Sequence, residues 1–269
     1  MRLLLLTLSG TTMPLTRVIT RSLILLGGLS YGALAQQPDN APTWGLGVAV
    51  VSSQQAYTGI DRDNKVLPLL SYENRYVRII GPEVAVKLPS YQLNESNSFK
   101  FNVIGKYDFT DYEQNDAPIL NGMEDRDGGF WVGFRTEWQN SLAEISVELA
   151  TEVAGDSDGS SANISLEKTW HFAGNYMFTP RIGVNWQNKD YIDYYYGVRA
   201  NEVSAERAFY QGEAGTSVEF GARVAHLFNY RHFIFLDMSV TSLATEIKDS
   251  PLVDRSSENR LLFAYIYNF

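Results

Sequence analysis

From Phe99 onward apolar and polar residues alternate one by one: Phe99, Phe101, Val103, Tyr107 and Phe109 on one face, Lys100, Asn102, Lys106 and Asp108 on the other. A period of two marks a strand with one dry and one wet face. The pattern returns in Phe130, Val132, Phe134 and Trp138 against Arg135 and Glu137, and in Ala143, Ile145, Val147 and Leu149 against Glu144, Ser146 and Glu148. Ile164, Leu166 and Trp170 oppose Ser165 and Glu167, and Tyr176, Phe178, Ile182, Val184 and Trp186 oppose Thr179 and Arg181. Val218, Phe220, Ala222 and Val224 then oppose Glu219 and Arg223, while Ile234, Leu236, Met238 and Val240 oppose Asp237 and Thr241. Lys168 puts a charge on an apolar face, which places it near an interface where its stem can snorkel. The last strand sets Leu261, Phe263, Tyr265, Tyr267 and Phe269 on one apolar face.

The connections sort by length. Gln139-Asn140-Ser141, Ala173-Gly174-Asn175 and Asn229-Tyr230-Arg231 read as tight turns. They alternate with long segments at 110–127, 153–161, 188–212 and 245–259. In the N-terminal third, 44–51 and 66–72 read as strands, and 76–88 as a third that Gly81-Pro82 interrupts. These segments bring the count to 11, whereas bacterial barrels have even numbers: if Gly81-Pro82 is a turn the total is 12 strands, and if one N-terminal segment does not span it is 10; we adopt 12.

A terminal strand with an apolar face needs either a cover or lipid, and no run after residue 35 approaches the roughly 20 residues of a spanning helix. Entry into a membrane is therefore by strands. Alternation, aromatics at strand ends and alternating short and long connections predict an all-β, transmembrane, antiparallel up-and-down β-barrel, with its short turns in the periplasm and long loops outside. The terminus resembles the assembly signal of outer-membrane proteins, carried by Phe269 with Tyr267 two before it and Phe263 and Tyr265 on the same strand; Ala264 stands where that signal often has Gly. The resemblance implies recognition by the barrel assembly machinery and a final place among outer-membrane lipids.

At the other end Arg17 and Arg21 precede the apolar run 23–29, and Ala33-Leu34-Ala35 precedes Gln36. This is a secretory signal with an A-x-A site, cleaved before Gln36. Met13 offers an equally complete signal, so the start is Met1 or Met13. The expected organisation is a signal peptide at 1–35, a short periplasmic tail at 36–43 and a barrel at 44–269.

Charge and composition narrow the function. The formal net charge of −9 becomes more negative once Arg2, Arg17 and Arg21 leave with the signal, so nucleic acid is not an expected partner. The absence of cysteine removes disulfides, thiol catalysis, cysteine zinc sites and lipoprotein attachment. The inward faces mix Lys100, Lys106, Asp108, Arg135, Glu137, Glu144, Glu148, Glu167, Arg181, Glu219, Arg223 and Asp237. Charges of both signs this close predict a cross-linked, mostly closed interior, with a narrow pore as the alternative. His171, His226 and His232 all lie beside periplasmic turns, away from the outer rim where outer-membrane enzymes hold their reactive groups, and Glu144 with Glu148 reads as a pair of salt-bridge partners. Asp61-Arg62-Asp63-Asn64 and Asp156-Ser157-Asp158-Gly159 alternate oxygen ligands without the spacing of a calcium loop. No enzyme, catalytic residue, cofactor or metal is expected.

Three blocks carry a family resemblance. Tyr57-x-Gly59 followed by Leu67-Pro68-Leu69-Leu70-Ser71-Tyr72-Glu73 and Tyr76-Val77-Arg78, then Asp193-Tyr194-Tyr195-Tyr196-Gly197-Val198, then the segment 246–255 with Asp249, Ser250, Pro251, Asp254 and Arg255, resemble motifs of the MipA/OmpV family of outer-membrane proteins. The resemblance implies an outer-membrane barrel of a Gram-negative bacterium and, through the named member, a scaffold that joins a lytic murein transglycosylase to a murein synthase. It also leaves open a narrow or osmotically regulated channel and an adhesin acting through outer loops. No catalytic residues come with it. Three successive tyrosines before Gly197 are expected to fold inward as a plug, with Gly197 allowing a sharp turn and Arg255 pairing with the aspartates.

Deleting Phe269, or replacing Phe269 and Tyr267 together by Ser, should lower folded protein in the outer membrane far more than Asn268→Ser, as read by heat-sensitive gel mobility. Equal levels would show that the terminal aromatics are not a signal.

Overall fold

A computed structural model describes residues 42–269, so the cleavage-site residues Ala33, Ala35 and Gln36 lie outside the described residues. The alternating segments become strands β1 (Thr43–Gln54), β2 (Asp63–Glu73), β3 (Val77–Ile80), β4 (Glu83–Lys87), β5 (Tyr91–Asn94), β6 (Asn97–Asp108) and β7 (Gly129–Gln139). The sheet continues through β8 (Glu144–Ala154), β9 (Ser160–Glu167), β10 (Trp170–Phe172), β11 (Tyr176–Gln187), β12 (Gly215–Phe228), β13 (His232–Ser242) and β14 (Ser257–Asn268). Short β5 runs on beyond β4 along β6, and short β10 beyond β9 along β11. The wall is therefore a closed antiparallel barrel of 12 strands, not 10. Closure runs from Gly45↔Asn268 to Gln54↔Asn259 between β1 and β14. No helix among the described residues is long and apolar enough to cross a membrane.

The expected faces hold. Val48, Val132, Val147, Phe220, Met238 and Phe263 are exposed on the outside of the wall, whereas Arg135, Glu137, Glu148, Arg223 and Asp237 are buried inside. Aromatic Phe263, Tyr265 and Tyr267 alternate with Leu262, Ala264 and Ile266, whose inward side chains are buried. That second apolar face extends the sequence reading, in which the lumen was a matter of charges alone. Phe233, Phe235, Leu262, Ile266, Leu69 and Val51 form an apolar cluster on the inner side of β1, β2, β13 and β14. Burying each such side chain contributes roughly 1.5–3 kcal/mol.

Several boundaries move. The first strand starts at Thr43, β2 starts at Asp63 because its whole length pairs with β1, and Gln139 belongs to β7 while residues 140–143 turn. The Asn140 side chain fixes that turn by accepting the N–H groups of Leu142 and Ala143. Lys168 falls between β9 and β10, where its ammonium donates to Ser141 O at 2.5 Å across two neighbouring turns. Asn229 and Tyr230 adopt positive φ, the conformation that tight hairpins require.

Gly81-Pro82 is a turn, and it makes β3–β4 a low hairpin. β3 pairs only with residues 71–73 of β2, so no strand lies beside 63–70 on that side among the described residues. Pro68 sits in this edge, where a missing N–H costs least. Leu67 and Phe109, just past the end of β6, both pack against the apolar cluster at this low point of the wall.

The facing assignment has a direct test. Val147→Arg should cost roughly 2–4 kcal/mol in a refolding titration if Val147 meets the bilayer midplane. Ser146→Arg should cost less, since Ser146 faces the polar interior; the reverse order would invert β8.

Candidate functional site: the lumen and its loop lid

Inside the wall, inward charges pair along neighbouring strands. Arg135 forks onto Glu83 with two contacts of 2.7 Å and reaches Glu148 at 2.6 Å, while Lys106 meets Glu148 at 2.6 Å. Arg78 lies 3.7 Å from Glu137. A second group gathers on Asp237, which accepts from Arg181 at 2.7 and 3.0 Å and from Arg223 at 3.1 Å, with Arg260 3.6 Å away. Arg181 also donates to Glu219 at 2.9 Å. Gly221 is the register partner of Arg181, and a Cβ there would stand 2.6 Å from the guanidinium. The bidentate geometry makes these strong, water-excluding contacts.

Of the inward charges expected to pair, Lys106, Arg135, Glu137, Glu148, Arg181, Glu219, Arg223 and Asp237 meet ion-pair partners, whereas Lys100 is exposed, buried Asp108 accepts from Thr110, and Glu144 at the periplasmic end takes a contact from Gln139 at 2.6 Å. The sequence reading missed Arg78, Glu83 and Arg260. Arg260 was available from alternation, because it precedes outward Leu261. Arg78 and Glu83 were hidden by the interrupted strand.

Above the charges the outer loops close the mouth. Helix α1 (Lys189–Tyr196) carries the tyrosine motif, capped by Asn188, whose side chain accepts the N–H of Tyr191. Its residues Tyr191, Ile192, Tyr194, Tyr195 and Tyr196 are all buried. Lys189, Asp190 and Asp193 keep the polar side of the helix at least partly exposed, while its aromatic side is enclosed. Tyr57 stacks on Tyr196 with centroids 5.3 Å apart and donates to Tyr195 O at 3.0 Å. Tyr195 donates to Asp127 O at 2.9 Å, and Tyr194 accepts the Asp127 N–H at 3.1 Å. Burial pushes the Tyr57 and Tyr196 hydroxyls well above the usual tyrosine value, which keeps them neutral donors.

The expected plug is present, with two corrections. The motif is helical, since period-two reasoning does not apply to a segment outside the wall. Gly197 has φ −74° and extended geometry, so no sharp left-handed turn occurs there. Glycine is needed because a Cβ would stand 2.2 Å from Asp193 O, and Asp193 Oδ1 in turn accepts the Gly212 N–H. The segment 243–256, which holds short helix α2 (Thr245–Lys248), packs beside it. Ser250 donates to Tyr196 O at 2.6 Å, Pro251 follows in the turn, and Thr58 N–H donates to Leu252 O. Arg255 donates to Tyr57 O at 3.0 Å and pairs with Asp254 at 3.2 Å, while Asp249 is exposed.

The residues that lock the lid were not singled out from the sequence. Arg126 and Glu202 form an ion pair of 2.8 Å with both side chains 1 % exposed. Arg126 also donates to Tyr194 O and Glu124 O, and Glu202 accepts from Glu124 N–H and Arg199 N–H. Arg207 holds Glu202 O, Ile119 O and Asn121 O. Two long loops without periodicity thus meet through a buried charge pair, an exposed pair of Arg199 with Glu124 and the Arg207 contacts, and no local pattern links residues so far apart in sequence. Burial opposes the charged form of Glu202, but the Arg199 N–H and the Arg126 guanidinium hold its carboxyl below the usual range. Of the acidic loops, Asp63 starts β2 beside Lys65 at 3.3 Å, and Ser157 binds Glu152 at 2.8 Å.

Between lid and charges lies a cavity of about 180 Å³, bounded by Tyr191 and Tyr196 above and by Arg135, Glu148 and Arg181 below.

The family model described as MltA-interacting protein MipA matches residues 46–269, which covers the whole wall from within β1. The chain belongs to that family. YiaT of Escherichia coli K12, named as an outer membrane protein, is 22% identical over 240 residues, covering 89% of this chain and 94% of the relative. The MltA-interacting protein of the same strain is 25% identical over 237 residues, covering 84% of this chain and 89% of the relative. Among solved structures the chain is similar to the CymD monoaromatic hydrocarbon channel, with TM-score 0.40 and 10% identity over 86% of this chain and 88% of that one. The family is one of outer-membrane barrels and not a known enzyme family, and the protein is an outer-membrane protein.

The lid lock should be sensitive to mutation and to acid. Arg126→Gln leaves the Glu202 carboxylate buried without its cation, a change that costs roughly 3–5 kcal/mol. Limited proteolysis should then cut within 109–128 or 197–214 while the barrel keeps its heat-sensitive mobility. Because the folded carboxyl of Glu202 lies below its unfolded value of about 4.3, its contribution is complete above that pH and is lost as pH falls through the folded value. Protection that fades instead on raising the pH from 5 to 8 would contradict this sign.

Proposed function

We propose that this protein is a non-conducting barrel that anchors murein-synthesising and murein-cleaving enzymes at the outer membrane. The observation that supports this reading most is the double closure of the lumen, by a lid locked through Arg126 and Glu202 and by inward charges that pair among themselves. A barrel that does not pass solute works through its surface. The relatives named MltA-interacting protein supply the class of partner. A stable interface buries roughly 1,200 Å² or more, and the periplasmic turns are short, so the contact must extend onto the aromatic rim. Leu142 and Tyr230 stand at two turn tips, 81% and 69% exposed, and suit this role.

A second reading is a narrow channel opened by lid movement, and the polar cavity beneath the lid favours it. The two readings part in two measurements. A photo-crosslinker at Leu142 or Tyr230 should capture a lytic transglycosylase or murein synthase in native envelopes, whereas one at exposed Asp249 in the lid should not. In planar bilayers the anchor stays silent even after deletion of 192–210, because the paired charges remain; a channel gains conductance from that deletion. Step conductance, or equal capture from both ends, overturns the anchor.

A further inference from the structure

The cavity under the lid carries polar side chains that the protein itself does not use. Asn163 on β9 and Asn185 on β11 are register partners, and Gln187 follows two residues on. All three line the cavity, and none of the three amides makes a hydrogen bond to another described residue. On β14, half-buried Glu258 lines the same space; its carboxylate accepts the Ala56 N–H at 3.1 Å, and no cation lies within ion-pair distance among the described residues. Trp131 on β7 is 3% exposed, lines the cavity and has an indole N–H without a hydrogen-bond partner. Of these groups the Trp131 indole N–H is fully buried, and a buried polar group left unmatched costs about 1–3 kcal/mol, while the half-buried amides add unused donors and acceptors for whatever the cavity holds.

The chemistry of the match is restricted from three sides. The cations that border the space, Lys106, Arg135, Arg181 and Arg260, already face Glu148, Glu219 and Asp237, so an ionic ligand would compete with those pairs. An apolar ligand would leave amides and carboxylate unmatched. Amides both donate and accept, a carboxylate accepts, and an indole donates; a neutral molecule with several hydroxyls answers all of these together. The aromatic rings of Trp131 and Tyr191, in edge contact at 5.8 Å, add a flat apolar surface. At about 180 Å³ the space exceeds the roughly 150 Å³ that admits a benzene-sized ring. We infer that the lidded cavity is a binding site for one neutral pyranose ring.

This inference stands apart from the anchor reading, since neither the rim nor any partner enters it. The lid admits a single ring and not a chain, so a free monosaccharide should bind and a trisaccharide should not. The test is saturation-transfer NMR on the refolded full barrel with glucose, and with maltotriose in a parallel arm. Transfer to glucose is expected in the millimolar range, at least tenfold weaker in Asn185→Leu and in Asn163→Leu, with heat-sensitive mobility retained. Arg126→Gln, which loosens the lid, should shorten the time needed to reach equilibrium. No transfer to glucose in either the wild-type or the Arg126→Gln protein overturns the site. Unchanged affinity in both leucine variants, or maltotriose binding as tightly as glucose, does so as well.

Discussion

In hydrocarbon an unpaired backbone N–H or C=O has no water to turn to, and each one costs several kcal/mol. The rest of this structure depends on that constraint. It forces β1 onto β14, so that the first and last strands of the barrel are neighbours and the sheet has no free end. Closure then divides every strand into a lipid face and a lumen face, and polar side chains have only the lumen to enter. Charges collected there without bulk water must pair, which is what Arg135 with Glu83 and Glu148, and Asp237 with Arg181 and Arg223, do. The one relaxed place is the edge 63–70 above the low β3–β4 hairpin, and there the sequence has a proline that lacks the N–H concerned.

The lid obeys a different rule. Its segments lie beyond the wall, so their backbones are free to form helix α1, a 3-10 turn at Pro118–Leu120 and isolated bridges such as Tyr57 with Val253. What orders them is the burial of aromatic rings, with the hydroxyls of Tyr57, Tyr194, Tyr195 and Tyr210 each meeting a backbone carbonyl or N–H. Tyrosine suits this because the ring supplies dry area and the hydroxyl tolerates a neighbouring backbone. The buried pair Arg126 and Glu202, with buried Arg207 on the carbonyls of Ile119 and Asn121, then joins loops 109–128 and 197–214.

Sequence legibility followed the same division. The wall was readable because a period of two is imposed by lipid on one side and polar contacts on the other, from Phe99 to the terminus. That reading was weakest at 76–88, where two strands of four and five residues are too short to show a period, although the adopted reading of Gly81-Pro82 as a turn and 12 strands is the one found. With them went Arg78 and Glu83, two members of one ion-pair group. The tyrosine motif was rightly placed inward, yet its helix was missed, because eight residues with four tyrosines carry little helical signal until packing supplies it. Arg126 and Glu202 are 76 residues apart, and only the folded lid gives them meaning.

The lid also limits what the lumen can do. The charges below the cavity are saturated by one another, so the route from the cavity to the outside is through the lid. If opening breaks the buried pair, at roughly 3–5 kcal/mol, the open fraction lies between about one in a hundred and one in several thousand. A pore open so seldom passes little solute, whereas a bound molecule that leaves at that frequency is merely retained. The same energy would set both how seldom such a barrel opens and how slowly a molecule leaves its cavity, since both depend on a salt bridge placed where water does not reach it.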